Sequence, residues 1–188
     1  MCGGQGTRLD ADVEKPLLPV CGEPMIDHVV DGLHESSVDE VHAVVSPHAP
    51  ATAAHVRDQL GLAVIEGTGD GYVADLGAAT DRVGEPVLTV AADLPLLAGD
   101  PLDRVLAAHD DQSLTVVVPA ALKRRLGCSV AGDGRWEYAG VNVVTDTVSD
   151  AQFPSYDVRM AVNVNRLVDA EVATDLLCPD QDGDDRGP

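Results

Sequence analysis

Apolar runs alternate with amphipathic stretches along most of the chain, and that alternation predicts its elements. Residues 41–45 form a short β-branched run that ends at Ser46-Pro47, where proline stops a strand. Residues 51–60 carry helical spacing, 62–65 read as the next strand, and 72–83 predict another helix. Residues 86–92 (PVLTVAA) are apolar on both faces, the mark of a buried strand. A helix over 102–109 and a strand over 114–119 (LTVVVP) follow. Residues 136–144 and 160–164 read as further strands, and 167–177 as a closing helix. Strands alternating with helices predict an α/β fold: three layers, a mostly parallel open sheet with helices on both faces. No internal repeat or second domain is visible, so residues 1–178 are expected to form one domain. Residues 179–188 (PDQDGDDRGP) are acidic and turn-forming, and are expected to be disordered.

Composition narrows the function classes. Among 188 residues, 32 are acidic and 12 basic, a formal charge of −20, so non-specific binding to a phosphate backbone is disfavoured and no nucleic-acid partner is expected. The acids are 24 Asp and 8 Glu and the bases 10 Arg and 2 Lys, over a core that must come from Val, Leu and Ala. An acid-coated, lysine-poor surface of this kind fits a halophilic protein, in which molar salt screens self-repulsion. No apolar run approaches the roughly 20 residues of a membrane span, which predicts a soluble, cytoplasmic protein without stable membrane insertion. The four cysteines (Cys2, Cys21, Cys128, Cys178) form no C-x-x-C pair, and their spacing suggests neither a zinc site nor a disulfide framework. The six histidines are scattered and read as solvated or structurally satisfied.

Two segments carry chemistry. The run GGQGTRLDADVEKPLLPVCG opens at Gly3, and Gly3, Gly4 and Gly6 can turn backbone N–H groups inward around an anion. Thr7 adds a hydroxyl, Arg8 a planar fork suited to phosphate oxygens, and Lys15, one of two lysines, a compact cation next to Pro16. The segment matches neither a G-x-x-x-x-G-K-[ST] loop nor a G-x-G-x-x-G fingerprint, which removes the P-loop ATPase and Rossmann dehydrogenase readings. The second segment is Asp93 in VLTVAADLPLL, a carboxylate at the carboxyl end of a buried strand, where open α/β sheets bind ligands. It can hold Mg²⁺ on a nucleotide's phosphates, or simply cap the helix that follows. A phosphate loop normally hangs from a buried strand, yet only Met1 and Cys2 precede Gly3. Losing that strand would leave its neighbours unpaired, so the expectation is a truncated first strand, with Met1 an internal methionine.

GGQGTRL followed by EKPLLPVCGEPMIDHVVDGL resembles the opening of the MobA-like nucleotidyltransferase superfamily. Residues 67–76 (GTGDGYVADL), 139–144 (AGVNVV) and 161–167 (AVNVNRL) resemble the archaeal GTP:adenosylcobinamide-phosphate guanylyltransferases within it. The resemblance runs in order from Met1 to about Leu177, departing only in the strand before the glycine loop. It implies a Rossmann-like nucleotidyltransferase fold, GTP and a phosphorylated corrinoid as partners, Mg²⁺ as cofactor, and a role in cobalamin biosynthesis. Gly3, Gly4, Gly6 and Thr7 would carry the phosphate cradle, while Arg8 and Lys15 would neutralise the transferring phosphate and the leaving pyrophosphate. Asp93 matches the metal-binding Asp, and Asn163 or Asn165 falls where a second metal-side ligand is expected. Gly69 and Gly71 would let the backbone approach base or ribose, with Asp70 or Asp75 facing guanine. Gly140 and Asn142 would line the acceptor side, or mark a bend in the sheet. Molybdopterin or a sugar phosphate as acceptor, and a nucleotide-binding regulatory domain without transfer, are the rival readings. A homodimer is compatible with all of them.

Overall fold

The computed structural model describes residues 1–2 and 13–179. A tight hairpin of β1 (Pro19–Val20) and β2 (Glu23–Pro24) turns at Cys21 and Gly22, both with positive φ, and leads directly into α1 (Met25–His34). Met25, Ile26, Val29 and Val30 fall on one face of α1 and are buried, which fixes that helix against the sheet. Then follow β3 (His42–Val45), α2 (Pro50–Asp58), β4 (Ala63–Glu66), α3 (Tyr72–Val83), β5 (Val87–Val90) and α4 (Gly99–Ala108). The second half contains β6 (Ser113–Pro119), α5 (Ala120–Leu126), β7 (Trp136–Val144), β8 (Asp150–Pro154) and α6 (Leu167–Leu177).

β3 and β4 pair in parallel, while a second group has the order β5-β7-β6-β8. β7 is antiparallel to both neighbours, and β6 and β8 are parallel. Residues 1–2 join the two groups. Cys2 N–H donates to the Val44 carbonyl (2.8 Å), the Met1 ammonium to the Val90 carbonyl (2.8 Å), and Ala92 N–H to the Met1 carbonyl (3.2 Å). This pattern makes β3, β4, β5, β6 and β8 run one way with β7 reversed, a mostly parallel sheet with helices on both faces. Past Met1, no strand among the described residues spans the space between β3 and β5. A cavity of about 490 Å³ there is lined by Leu33, Leu106, Leu76, Ala79 and Val83. The main core is aliphatic, with Leu94, Leu102, Val105, Val116, Val118 and Val141 fully buried. Each such side chain contributes about 1.5–3 kcal/mol of burial.

Three expectations are corrected. Residues 160–164 are not a strand: a 3₁₀ turn at Val158–Met160 leads into a loop whose Val164 N–H donates to the Asp93 carbonyl (2.9 Å). Its apolar residues are fully buried, so their composition matched a core strand although the backbone is held by a loop contact. Cys21 and Cys178, 157 residues apart, form a disulfide with Cα atoms 6.0 Å apart, a pairing that depends on tertiary approach and leaves no spacing signal. Cys2 and Cys128 are free and buried, and burial pushes both thiols up. His28 and His55 are hydrogen-bonded as expected, but the buried Nδ1 atoms of His42 and His109 have no partner among the described residues. Most of the acidic tail, residues 180–188, lies outside the described residues. No described helix is long and apolar enough to cross a membrane.

Candidate active site

Lys15 begins a single 3₁₀ turn (Lys15–Leu17) whose second residue, Pro16, is buried. Glu14 ties this turn to the start of α2: its carboxylate accepts from Ala51 N–H (2.9 Å), Thr52 N–H (2.6 Å) and the Thr52 hydroxyl (2.6 Å). Burial raises the Glu14 pKa, but these hydrogen bonds outweigh it and hold the carboxyl below its ordinary value. Asp93 stands just past the carboxyl end of β5. Lys15 Nζ lies 2.7 Å from Asp93 Oδ2 and 3.0 Å from Asn165 Oδ1, so two segments 78 residues apart in sequence meet as an ion pair. Both charged side chains are mostly buried, at 16% and 17% exposure, which weakens solvent screening between them.

The two asparagines serve different ends. Asn165 presents its carbonyl oxygen to Lys15, and its backbone is pinned because Asn165 N–H donates to the buried Asp169 carboxylate (2.9 Å). Asn163 instead turns its amide NH₂ to Asp93 Oδ1 (3.3 Å) and the Ala139 carbonyl (2.8 Å), and its Oδ1 to Lys123 Nζ (3.1 Å). A hard cation takes an oxygen and not an amide nitrogen. In this arrangement Asn163 therefore offers Asp93's side no metal donor, whereas Asn165 does. Asp93 Oδ2 and Asn165 Oδ1 already converge on one cation, the Lys15 ammonium. Two hard oxygens, with remaining positions left to phosphate and water, fit the demands of Mg²⁺. No group of three or more His, Cys, Asp or Glu suited to a metal occurs among the described residues, so a closed protein cage is absent there.

Lys15, Asp93, Asp75 and Tyr72 line one cleft of about 270 Å³ that also touches Met1, Cys2, Ala91 and Ala92. Gly69 and Gly71, both with positive φ, form the turn before α3, and Asp70 is exposed. Asp75, expected to face guanine, is 3% exposed, and its Oδ1 accepts from Thr68 N–H (2.6 Å), Gly69 N–H (3.2 Å) and the Thr68 hydroxyl (3.0 Å). That oxygen shapes the loop and is not free for a base. A Cβ at Gly67 would stand 2.8 Å from the same carboxylate, which explains glycine at that position. Asn142 Nδ2 donates to the Tyr72 hydroxyl (3.2 Å) and to Thr89 Oγ1 (3.3 Å), forming a polar rim. Gly140 has φ +79°, and a Cβ there would lie 2.9 Å from the Ala91 methyl and 3.5 Å from Asn163 Nδ2, so it is both a bend and a close approach behind the site.

The expected loop residues Gly3, Gly4, Gly6, Thr7 and Arg8 lie outside the described residues. Sequence reasoning missed Glu14, Tyr72, Lys123 and Asp169. Asp169 stands three residues after Arg166 at the start of α6, a spacing that could have marked it as a helix-capping acid. A larger, open depression of about 680 Å³ lies at the amino end of β5, lined by Asp81, Glu85, His109, Asp111 and Asp146. Its wall is acidic, whereas the smaller cleft holds the Lys15 ammonium.

Residues 1–140 match the MobA-like NTP transferase domain. Over 131 residues, 63% of the chain, it is 33% identical to the adenosylcobinamide-phosphate guanylyltransferase of Methanocaldococcus jannaschii, and it spans 66% of that relative's length. It is 30% identical over 124 residues, 64% of the chain, to the bifunctional protein GlmU of Halalkalibacterium halodurans, of which it spans 27%. The fold is similar to Campylobacter jejuni bifunctional IspDF (TM-score 0.65, 13% identity, 90% of this chain and 52% of that one). It is also similar to Rv0371c of Mycobacterium tuberculosis (TM-score 0.60, 16% identity, 93% and 94%).

Proposed function

The chain belongs to the MobA-like NTP transferase domain family, and from that premise we propose that it is a guanylyltransferase moving GMP from GTP to adenosylcobinamide phosphate. The products are adenosylcobinamide-GDP and pyrophosphate, a step of cobalamin biosynthesis. The observation that carries the transferase reading is the convergence of Lys15, Asp93 and Asn165 at the carboxyl end of β5. The acceptor rests on the likeness to the Methanocaldococcus enzyme.

In this reading the acceptor's phosphomonoester oxygen attacks the α-phosphorus in line. One O–P bond forms, the bond from the α-phosphorus to the bridging oxygen breaks, and the electron pair leaves with pyrophosphate. The second pKa of a phosphomonoester is about 6, so the nucleophile is already ionised at neutral pH and needs no protein base. The chain's task is then orientation and charge compensation. Lys15, on a flexible four-carbon stem, holds a positive charge at the cleft and can follow a phosphate oxygen. Arg8 is proposed to add a second cation, and Gly3, Gly4, Gly6 and Thr7 the backbone cradle. Asp93 and Asn165 would hold Mg²⁺, which when bound supplies neutralisation of phosphate charge. Gly69 and Gly71 would admit the nucleoside, with Gly140 and Asn142 toward the acceptor.

The GlmU likeness supports a second reading with the same chemistry and a sugar phosphate as acceptor. The test is pyrophosphate release in molar KCl with Mg²⁺ and GTP, offering adenosylcobinamide phosphate, molybdopterin or a sugar phosphate in turn. Release with the corrinoid phosphate alone is the expected result. Release with only another acceptor discards the cobamide assignment and keeps the transferase.

A further inference from the structure

We propose that Lys123 is a positioning residue of the Asp93 site, acting through Asn163; the inference rests on the transferase reading above. The chain has two lysines, and each bonds one of the two asparagines flanking Asp93: Lys15 meets Asn165 and Lys123 meets Asn163. Lys123 projects from α5 into the core at 3% exposure, and Asn163 is 6% exposed. Among the described residues the Lys123 ammonium forms no salt bridge, and its hydrogen bond goes to the neutral Asn163 oxygen at 3.1 Å. A buried ammonium with so little compensation is costly, and an apolar side chain of similar length would pack there at no such cost. Folding alone therefore does not account for a lysine at this position.

Its effect on Asn163 does. An ammonium only donates, so it accepts no amide NH₂ and forces Oδ1 of Asn163 toward itself. The NH₂ group then points the other way, to the Ala139 carbonyl at 2.8 Å and to Asp93 Oδ1 at 3.3 Å. Asp93 is thereby gripped on both oxygens, Oδ1 by Asn163 and Oδ2 by Lys15, and its carboxylate plane is fixed. Without Lys123 the Ala139 carbonyl and Asp93 still hold the NH₂ on their side, but the amide loses the anchor on its oxygen and can tilt, which loosens its grip on Asp93 Oδ1. Outer partners that orient a ligand typically change metal affinity or activity 10–100-fold when removed.

The test is Lys123→Met, with Mn²⁺ binding in the presence of GTP read by electron paramagnetic resonance beside thermal melting and pyrophosphate release. The expected result is a melting temperature near wild type, relief of the buried ammonium offsetting the donor lost by Asn163 Oδ1, with Mn²⁺ affinity and turnover each lowered about tenfold and the KM for GTP little changed. In a double-mutant cycle, Lys123→Met added to Asn163→Ala should cost nothing further, because both remove one linkage. Wild-type Mn²⁺ affinity and turnover in Lys123→Met, or fully additive losses in the cycle, would overturn the inference and leave the transferase reading standing. Absence of Mn²⁺ binding by the wild-type chain with GTP would overturn that reading, and the inference with it. Should Lys123→Met not fold, Lys123→Gln keeps a donor and is expected to stay within a few-fold of wild type, whereas Asn163→Ala is not; equal behaviour of the two overturns the inference.

Discussion

Asp169→Asn isolates one atom's worth of chemistry beneath the site. The Asp169 carboxylate is fully buried and accepts from Ser129 N–H (2.6 Å), the Ser129 hydroxyl (2.7 Å), Asn165 N–H (2.9 Å) and Arg166 N–H (2.8 Å). Burial raises its pKa, but the hydrogen bonds outweigh burial and hold it below the ordinary value. An asparagine offers an acceptor on one side only, and the least costly placement turns its NH₂ against the Ser129 N–H. That half-buried donor is left unsatisfied, at about 1–3 kcal/mol, and the other bonds lose their charge assistance. The sum is about 3 kcal/mol, which for a chain of this size lowers the melting temperature by about 6–12 °C at pH 7. The folded carboxyl titrates below its unfolded value of about 3.9, so its stabilisation is complete above that pH and is lost as pH falls through the folded value. Melting curves of both proteins should therefore converge in acid. A shift within about 2 °C at pH 7, or a gap that does not narrow on acidification, refutes the reasoning.

Lys15→Ala and Asp93→Ala should each lower transfer by roughly 10²–10³-fold with the fold retained by circular dichroism; near-normal turnover in either removes it from the site. Gly140→Ala forces a side chain into positive φ against Ala91 and Asn163, and should cost about 1–3 kcal/mol in denaturant melts, with a stability change near zero arguing against that contact.

The alternating elements were legible because strands buried on both faces read as unbroken apolar runs; 72–83, 136–144 and 167–177 coincide with α3, β7 and α6. The same rule misled at 160–164, since full burial of Met160, Val162 and Val164 gives a loop the composition of a strand. The helix α5 and strand β8 were missed because ALKRRL and DAQFP are short and carry little periodicity. Lys15 and Asp93 stood out by residue type and neighbours, but their contact across 78 residues is a product of topology. Lys123 carries no distinguishing signal in the sequence, and only packing shows it buried against Asn163. Asp70 and Asp75 were alike in sequence as partners for a base, and only packing separates them: Asp70 is exposed, whereas Asp75 is buried with its Oδ1 closing the glycine turn.

The central claim is tested most directly by following the α-phosphorus. The chain would be incubated in molar KCl with Mg²⁺, adenosylcobinamide phosphate and GTP labelled at the α-phosphate, and the products separated and weighed by mass spectrometry. The account predicts label in a corrinoid whose mass has grown by one GMP, with one pyrophosphate released per label transferred. Label remaining in GTP while the folded protein binds the nucleotide would contradict it.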